Sequence, residues 1–251
     1  MIGYLKAEGL KMKGSISIRL LLFIPLCFWL FAIYTALFVT KAGTFNAYIA
    51  LIFNLWPLIF LPISQAIACS LNINLEKNSG NYISIISNNL SLSKMWCSKI
   101  INMVGYQFVS GMIVIIIAVG GSLLTFNDMP NIPNIAYTTL LITLAFLPLI
   151  PFNFMLSQYF GTIITVITNL IGIFISVVWL APYSTFWLTP WGNILRIPAV
   201  TMGIHPNGTQ LEAGSPLLDS SILGVNIISS IVYFVLFSGL FTFVFKKKVM
   251  K

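Results

Sequence analysis

One histidine, three cysteines and five acidic residues are the few imidazole, thiol and carboxylate groups that this chain of 251 residues offers for catalytic or metal chemistry. His205 is the lone imidazole and lies in a polar stretch, so neither a buried Ser–His pair nor an H-E-x-x-H metal helix can be assembled. Cys27, Cys69 and Cys97 are odd in number, far apart and without a C-x-x-C pair. That spacing argues against a disulfide framework or a zinc site and for small apolar packing residues. No G-x-x-x-x-G-K-[ST] run is present to cradle a nucleotide's phosphates. The chain is therefore expected to be no enzyme and to use no cofactor or metal of its own. Any ATP that drives it must be bound by a separate subunit.

The elements that must position these residues belong in a bilayer. Apolar residues make up 58% of the chain and charged residues 7%, against about 25% charged in soluble domains. So few charges cannot cover a water-facing surface, which implies an all-α integral membrane protein. A hydrocarbon core of about 30 Å needs about 20 apolar residues per helix. Six stretches qualify: 20–39, 48–71, 100–125, 136–156, 161–181 and 222–245. None alternates as barrel strands do. The first is too long for a signal-peptide core and should stay as an anchor. None of the thirteen basic or five acidic residues lies inside a span, which excludes the usual proton relays and ion-coupled carriers.

Charge then sets orientation. Lys6, Lys11, Lys13 and Arg19, then Lys77, Lys94 and Lys99, then Lys246, Lys247, Lys248 and Lys251 fall on one side of the six spans. Only Lys41 and Arg196 fall on the other. Eleven against two places both termini and the 72–99 loop in the cytoplasm of a multi-pass cell-membrane protein. The net charge of +8 is thus a topology signal. Nucleic acid is not an expected partner, because no basic patch is interleaved with aromatics. Trp187, Trp191 and Tyr183 are expected to mark the outer interface, and Trp96 and Tyr82 the inner one.

Uncharged polar residues do enter the spans: Asn54 and Gln65, Asn102 and Gln107, Asn153, and Asn169, with Pro57, Pro62, Pro148 and Pro151 among them. They read either as interhelical hydrogen bonds or as the lining of a path for an amphipathic substrate. The Gly120-Gly121 pair should allow close helix approach. Residues 1–16 are modestly amphipathic, with Ile2, Leu5, Met12 and Ile16 near one face and Glu8 and Lys11 opposite. They read as an interfacial helix on the inner leaflet, Lys6 and Lys13 snorkelling beside the apolar stripe. Segment 81–87 of the 72–99 loop can form a short helix with Tyr82, Ile85 and Ile86 on one face. Asn88-Asn89 ends it, and Ser91 can cap the next helix. An exposed aromatic-aliphatic face on the cytoplasmic side has reason to dock on something. The outer loop 182–221 opens with a stretch containing Trp187, Pro190 and Trp191 that is too apolar for a free loop, so it should be re-entrant or interfacial. His205, further on, reads as a solvated surface residue.

The chain resembles permease subunits of ABC-2 type transporters, and most of all the permeases of lantibiotic immunity (self-protection) transporters. The likeness rests on Leu5-x-x-Glu8-x-x-Lys11-x-Lys13, on Glu76-Lys77-x-x-Gly80-Asn81 followed by Ser91-x-x-Lys94 and Lys99, on the short connection Ser157-Gln-Tyr-Phe-Gly161, and on Pro190-Trp191-Gly192. It implies an ABC-2 (type V exporter-like) permease of six transmembrane helices with a cytoplasmic coupling helix. The partners it implies are a cognate ATPase in two copies, a second permease that is related but different, and an amphipathic peptide expelled from the membrane. Glu76, Lys77, Gly80, Asn81, Tyr82, Ile85 and Ile86 would then form the ATPase-coupling element. Two alternatives stand beside this one: an ABC-2 exporter of another amphipathic substrate (drug, lipid or bacteriocin), and a peptide-binding or sensing membrane protein without ATP coupling.

Overall fold

The computed structural model describes residues 1–38, 47–80, 82–126 and 129–249. Long apolar runs with no water partner must satisfy their backbone internally, and the chain does so as helices. In order these are α1 (Ile2–Met12), α2 (Ile16–Phe38), α3 (Ala47–Leu55), α4 (Leu61–Asn78), α5 (Ile83–Ser87), α6 (Leu92–Phe126), α7 (Ile132–Phe146), α8 (Leu149–Ile175), α9 (Pro190–Met202) and α10 (Ile222–Val249). Among the described residues the sole β pairing is an isolated bridge between Ile204 and Gln210. Five helical segments are long and apolar enough to cross a membrane: Ile16–Thr35, Ala47–Asn78, Leu92–Leu124, Leu149–Leu180 and Ile222–Lys247.

Two departures from the sequence reading have physical causes, and one expected turn is present. First, 72–99 is not one loop. α4 runs on to Asn78 and α6 starts at Leu92, because the polar residues there bond to neighbouring elements rather than to water. Second, the span expected at 136–156 breaks after Phe146. Leu147 N–H turns to the Leu144 carbonyl at 3.2 Å, and Pro148 has no N–H to continue the ladder. The short connection expected at 157–161 is present as a turn inside α8, which is not straight. Gly161 has φ 81° and ψ −177°, a region essentially reserved for glycine. The Asn169 amide donates to Asn153 Oδ1 at 2.7 Å. A straight helix would hold residues sixteen apart about 24 Å from each other, so α8 folds back at Gly161 into limbs 149–160 and 162–175. A π-helical turn at Trp56–Phe60 joins α3 to α4, where Pro57 and Pro62 interrupt the ordinary ladder.

Side-chain bonds gather the rest. Tyr48 Oη donates to the Ile117 carbonyl at 2.7 Å. A Cβ at Gly121 would run into that tyrosine ring, so the expected close approach is of α3 onto α6. At the end holding both termini, Phe245 of α10 stacks on Trp96 of α6 (4.3 Å between centroids) and meets Tyr82 edge-on (5.2 Å). Trp96 and Tyr82, expected at a lipid interface, are instead buried in protein. At the opposite end, Asn54 donates to the Pro206 carbonyl and Asn134 to that of Thr201.

Candidate functional site

The end with both termini is built on four charges. Lys99 Nζ donates to Glu8 Oε2 at 2.7 Å, Glu76 Oε1 at 2.8 Å and Asn72 Oδ1 at 3.1 Å. An ammonium has three N–H donors, and all three are used. Lys11 Nζ bridges Glu8 Oε1 and Glu76 Oε1, each at 2.9 Å, from the solvent edge. The Lys99, Glu8 and Glu76 side chains are 1%, 3% and 7% exposed. Such burial is tolerated only because two carboxylates meet two ammoniums with their hydrogen bonds filled. Burial alone would lower the Lys11 pKa, but its hydrogen bonds to the Glu8 and Glu76 carboxylates, with their charges, outweigh it and hold the group above its ordinary 10.5.

This network turns the Glu8 side of α1 into the protein and leaves Ile2 and Ile16 of the apolar stripe exposed. Glu8 and Met12 point into the protein, while Ile2 and Leu10 are exposed. Asn102 Nδ2 donates to the Leu5 carbonyl at 3.1 Å, and Tyr4 Oη accepts from Ser91 N–H at 2.9 Å, so α1 is bolted along the start of α6. Sequence reasoning placed Glu8, Asn72 and Lys99 in no site. The available signal was that Glu8 and Glu76 are two of only five acidic residues and both fall on the lysine-rich side.

The expected coupling residues divide. Glu76 belongs to the network. Lys77 Nζ bonds the Ser157 and Gln158 carbonyls at 3.4 and 3.0 Å, where the first limb of α8 ends. It fills carbonyls left without helical partners and opposes the helix dipole. Gly80 turns the chain at φ 98°, and Asn81 lies outside the described residues. Tyr82 takes φ 69°, a strained angle for an aromatic residue, anchored by its hydroxyl donating to Gln158 Oε1 at 2.9 Å. Burial, with Glu76 and Glu8 nearby, pushes that hydroxyl's pKa above its usual value, so it stays a donor. The Tyr82–Ile85–Ile86 face read from the periodicity is therefore corrected: Tyr82 and Ile85 are buried. The turn at Gly80 and Tyr82 rotates α5 so that Ile83, Ile86 and Leu90, at 67%, 46% and 48% exposure, face outward. The expected Ser91 cap is present, its Oγ accepting from Lys94 N–H at 3.4 Å.

The polar residues inside the spans make ties. Asn169 joins Asn153 and accepts from Trp191 Nε1 at 3.1 Å. Asn102 holds α1 and Asn54 holds the outer loop. Gln65, Gln107 and Asn153 are buried, each with one amide atom lacking a partner. Gln65 Nε2 reaches Cys69 Sγ on its own helix at 4.0 Å, while the interhelical reading holds for Asn102 and for the Asn153–Asn169 pair across the two limbs of α8.

At the opposite end, Pro190 opens α9. Thr189 Oγ1 caps it on Gly192 N–H at 3.1 Å, and Gly203 closes it in the left-handed conformation. Gly192 is forced, because a Cβ there would strike the Phe186 carbonyl. Trp191 is half-buried, edge-on to Phe152 at 5.6 Å, and Trp187 is 45% exposed. Asn193 donates to the Ser229 and Ser230 hydroxyls and Asn226 donates back to its carbonyl, so α9 is buried against α10. Beside it opens a cavity of about 800 Å³ lined by Tyr183, Phe186, Trp187, Arg196, Asp219 and Val225, among others. His205 also lines it, half-buried, its Nδ1 accepting from Asn207 N–H at 3.2 Å. Ser221 N–H and Oγ bond the Asp219 carboxylate at 2.9 and 2.8 Å and hold its pKa below the usual range. Among the described residues, no group of three His, Cys, Asp or Glu is placed to hold a metal ion, and all three cysteines are free.

Compared with protein-family models, curated proteins and solved structures, the chain finds no match.

Proposed function

We propose that the chain is the membrane-spanning subunit of an ATP-driven ABC-2 type exporter that expels an amphipathic lantibiotic or bacteriocin peptide from the cell membrane, protecting the cell. In this reading the chain crosses the membrane six times. α7 with the first limb of α8 is the fourth crossing, and the second limb is the fifth. Both termini face the cytoplasm, in line with the eleven basic residues that the sequence assigns to that side against two on the other. A separate ATPase, in two copies, docks there, and a related second permease completes the transporter.

The observation that carries this reading is the setting of α5. It is fastened to α8 through the Tyr82–Gln158 hydrogen bond and to α10 through Phe245. The network that includes Glu76 and Lys99 locks α4, α6 and α1 beside it. Yet Ile83, Ile86 and Leu90 stay exposed. A push on that apolar face by a partner subunit would reach four long helices at once.

The test is expression with the cognate ATPase and second permease, which should lower sensitivity to one membrane-active lantibiotic and reduce cell-bound peptide. The same set with an ATPase unable to hydrolyse ATP should not protect. Equal protection by that set would favour peptide binding or sensing without ATP coupling. For orientation, Glu212→Cys in a cysteine-free background should react with an impermeant thiol reagent on intact cells, and Lys247→Cys should not.

A further inference from the structure

The outer cavity has no part in the coupling just proposed, and its chemistry points to a ligand. Arg196 is 95% buried, at 5% exposure, on the cavity wall. Its Nη1 donates to the Ala181 carbonyl at 3.2 Å and its Nη2 to that of Pro216 at 3.5 Å, while Nε has no partner. Among the described residues no carboxylate forms an ion pair with it. A guanidinium is built for a bidentate carboxylate or phosphate, and a buried cation without one leaves that valence open. Asp219, exposed at the same cavity, has its oxygens on Ser221 and keeps acceptor capacity for a cation. The site therefore pairs a buried positive group with an exposed negative one.

The opening of the cavity narrows the ligand further. Val225 lines it and lies in the first turn of α10, a helix exposed along most of its length, on which Val225, Ile228, Val232 and Val235 are 48%, 65%, 50% and 62% exposed. Their spacing keeps them on one helix face. The run covers about 15 Å at 1.5 Å per residue, close to half a hydrocarbon core of about 30 Å. Tyr183 and Trp187, also exposed at the cavity, are residue types favoured at the headgroup level.

We propose that this cavity binds the headgroup of a zwitterionic phospholipid, its phosphate on Arg196, its ammonium toward Asp219 and an acyl chain along the Val225–Val235 face. An amphiphile anchored there would hold α9 and the start of α10 to the outer leaflet.

The experiment is native mass spectrometry of the purified full-length protein titrated with phosphatidylethanolamine, phosphatidylglycerol, diacylglycerol and inorganic phosphate. Phosphatidylethanolamine should bind at least about tenfold more tightly than diacylglycerol, a tenfold difference in Kd being readily resolved. Arg196→Gln should erase that preference. Asp219→Asn should erase only the preference over phosphatidylglycerol. Val225→Trp starts from an exposed position and fills the opening with Arg196 intact, so it should block the lipid even where Arg196→Gln fails to fold. Equal binding of diacylglycerol, retention of the lipid by Val225→Trp, or inorganic phosphate binding as tightly as the phospholipid would overturn the proposal. The measurement needs no ATPase, so its failure leaves the proposed export function untouched.

Discussion

The two ends of the molecule treat buried charge in opposite ways. At the end with both termini, Glu8, Lys11, Glu76 and Lys99 neutralise one another and Lys99 has every donor filled. At the other, Arg196 sits buried with two backbone carbonyls, an unpartnered Nε and no carboxylate in ion-pair reach among the described residues. A closed network fixes geometry, and an open one waits for a partner. The first end can thus serve as a rigid handle, with its apolar α5 face turned outward. The second has a pocket where Arg196 meets two carbonyls, the Phe186 ring at 5.8 Å and the charge of Asp219 without an ion pair.

Breaking the closed network should have the largest effect. Lys99→Met leaves Glu8 and Glu76 buried with only Lys11, and stranding a buried charge costs about 3–5 kcal/mol. Thermal unfolding in detergent should register it. Neutralising the carboxylates as well, with Glu8→Gln and Glu76→Gln, should recover most of the loss. The same substitution at the other end, Arg196→Met, strands no carboxylate and should cost less, about 1–3 kcal/mol for the two carbonyls left without donors. An equal cost at both ends would erase the contrast.

Gly161→Ala comes next. The fold-back conformation is essentially closed to residues with a Cβ, and forcing it should cost about 1–3 kcal/mol. The change should loosen the Asn153–Asn169 and Lys77–Gln158 bonds. A cysteine pair at Asn153 and Asn169 should crosslink in the parent protein and less efficiently in the variant.

The smallest effect is on pH. Because the Lys11 pKa is raised in the folded protein, its contribution is fully present below 10.5 and is lost only as pH rises through the higher folded value. Protease sensitivity of α1 should therefore be unchanged between about pH 7 and 9 and rise only in stronger alkali. Release of α1 near neutral pH would contradict the Lys11 bridge.

The membrane helices were legible in the sequence because each is a long apolar run, and the fold-back falls at Gly161, where one span was expected to end and the next to begin. The charge network was not legible, because Glu8 and Lys99 are 91 residues apart and no local spacing links them. The same limit applied to α1: helical periodicity identifies faces but does not say that Glu8 and Met12 meet the protein. It applied to α5 as well, since the left-handed backbone at Gly80 and Tyr82 redirects the helix beyond it. Lys77 read as a docking charge, and nothing in the sequence signalled its bonds to carbonyls 80 and 81 residues away.

The proposed ATPase contact rests on the exposed face of α5, so a substitution there tests the account most directly. Ile86→Asp places a charge on the outward face and touches neither the Tyr82 anchor nor the charge network. Co-purification of the cognate ATPase should fall sharply for this variant, and resistance with it, while thermal stability and membrane insertion stay at parental levels. A stable Ile86→Asp protein that retains both the ATPase and full resistance would contradict the account.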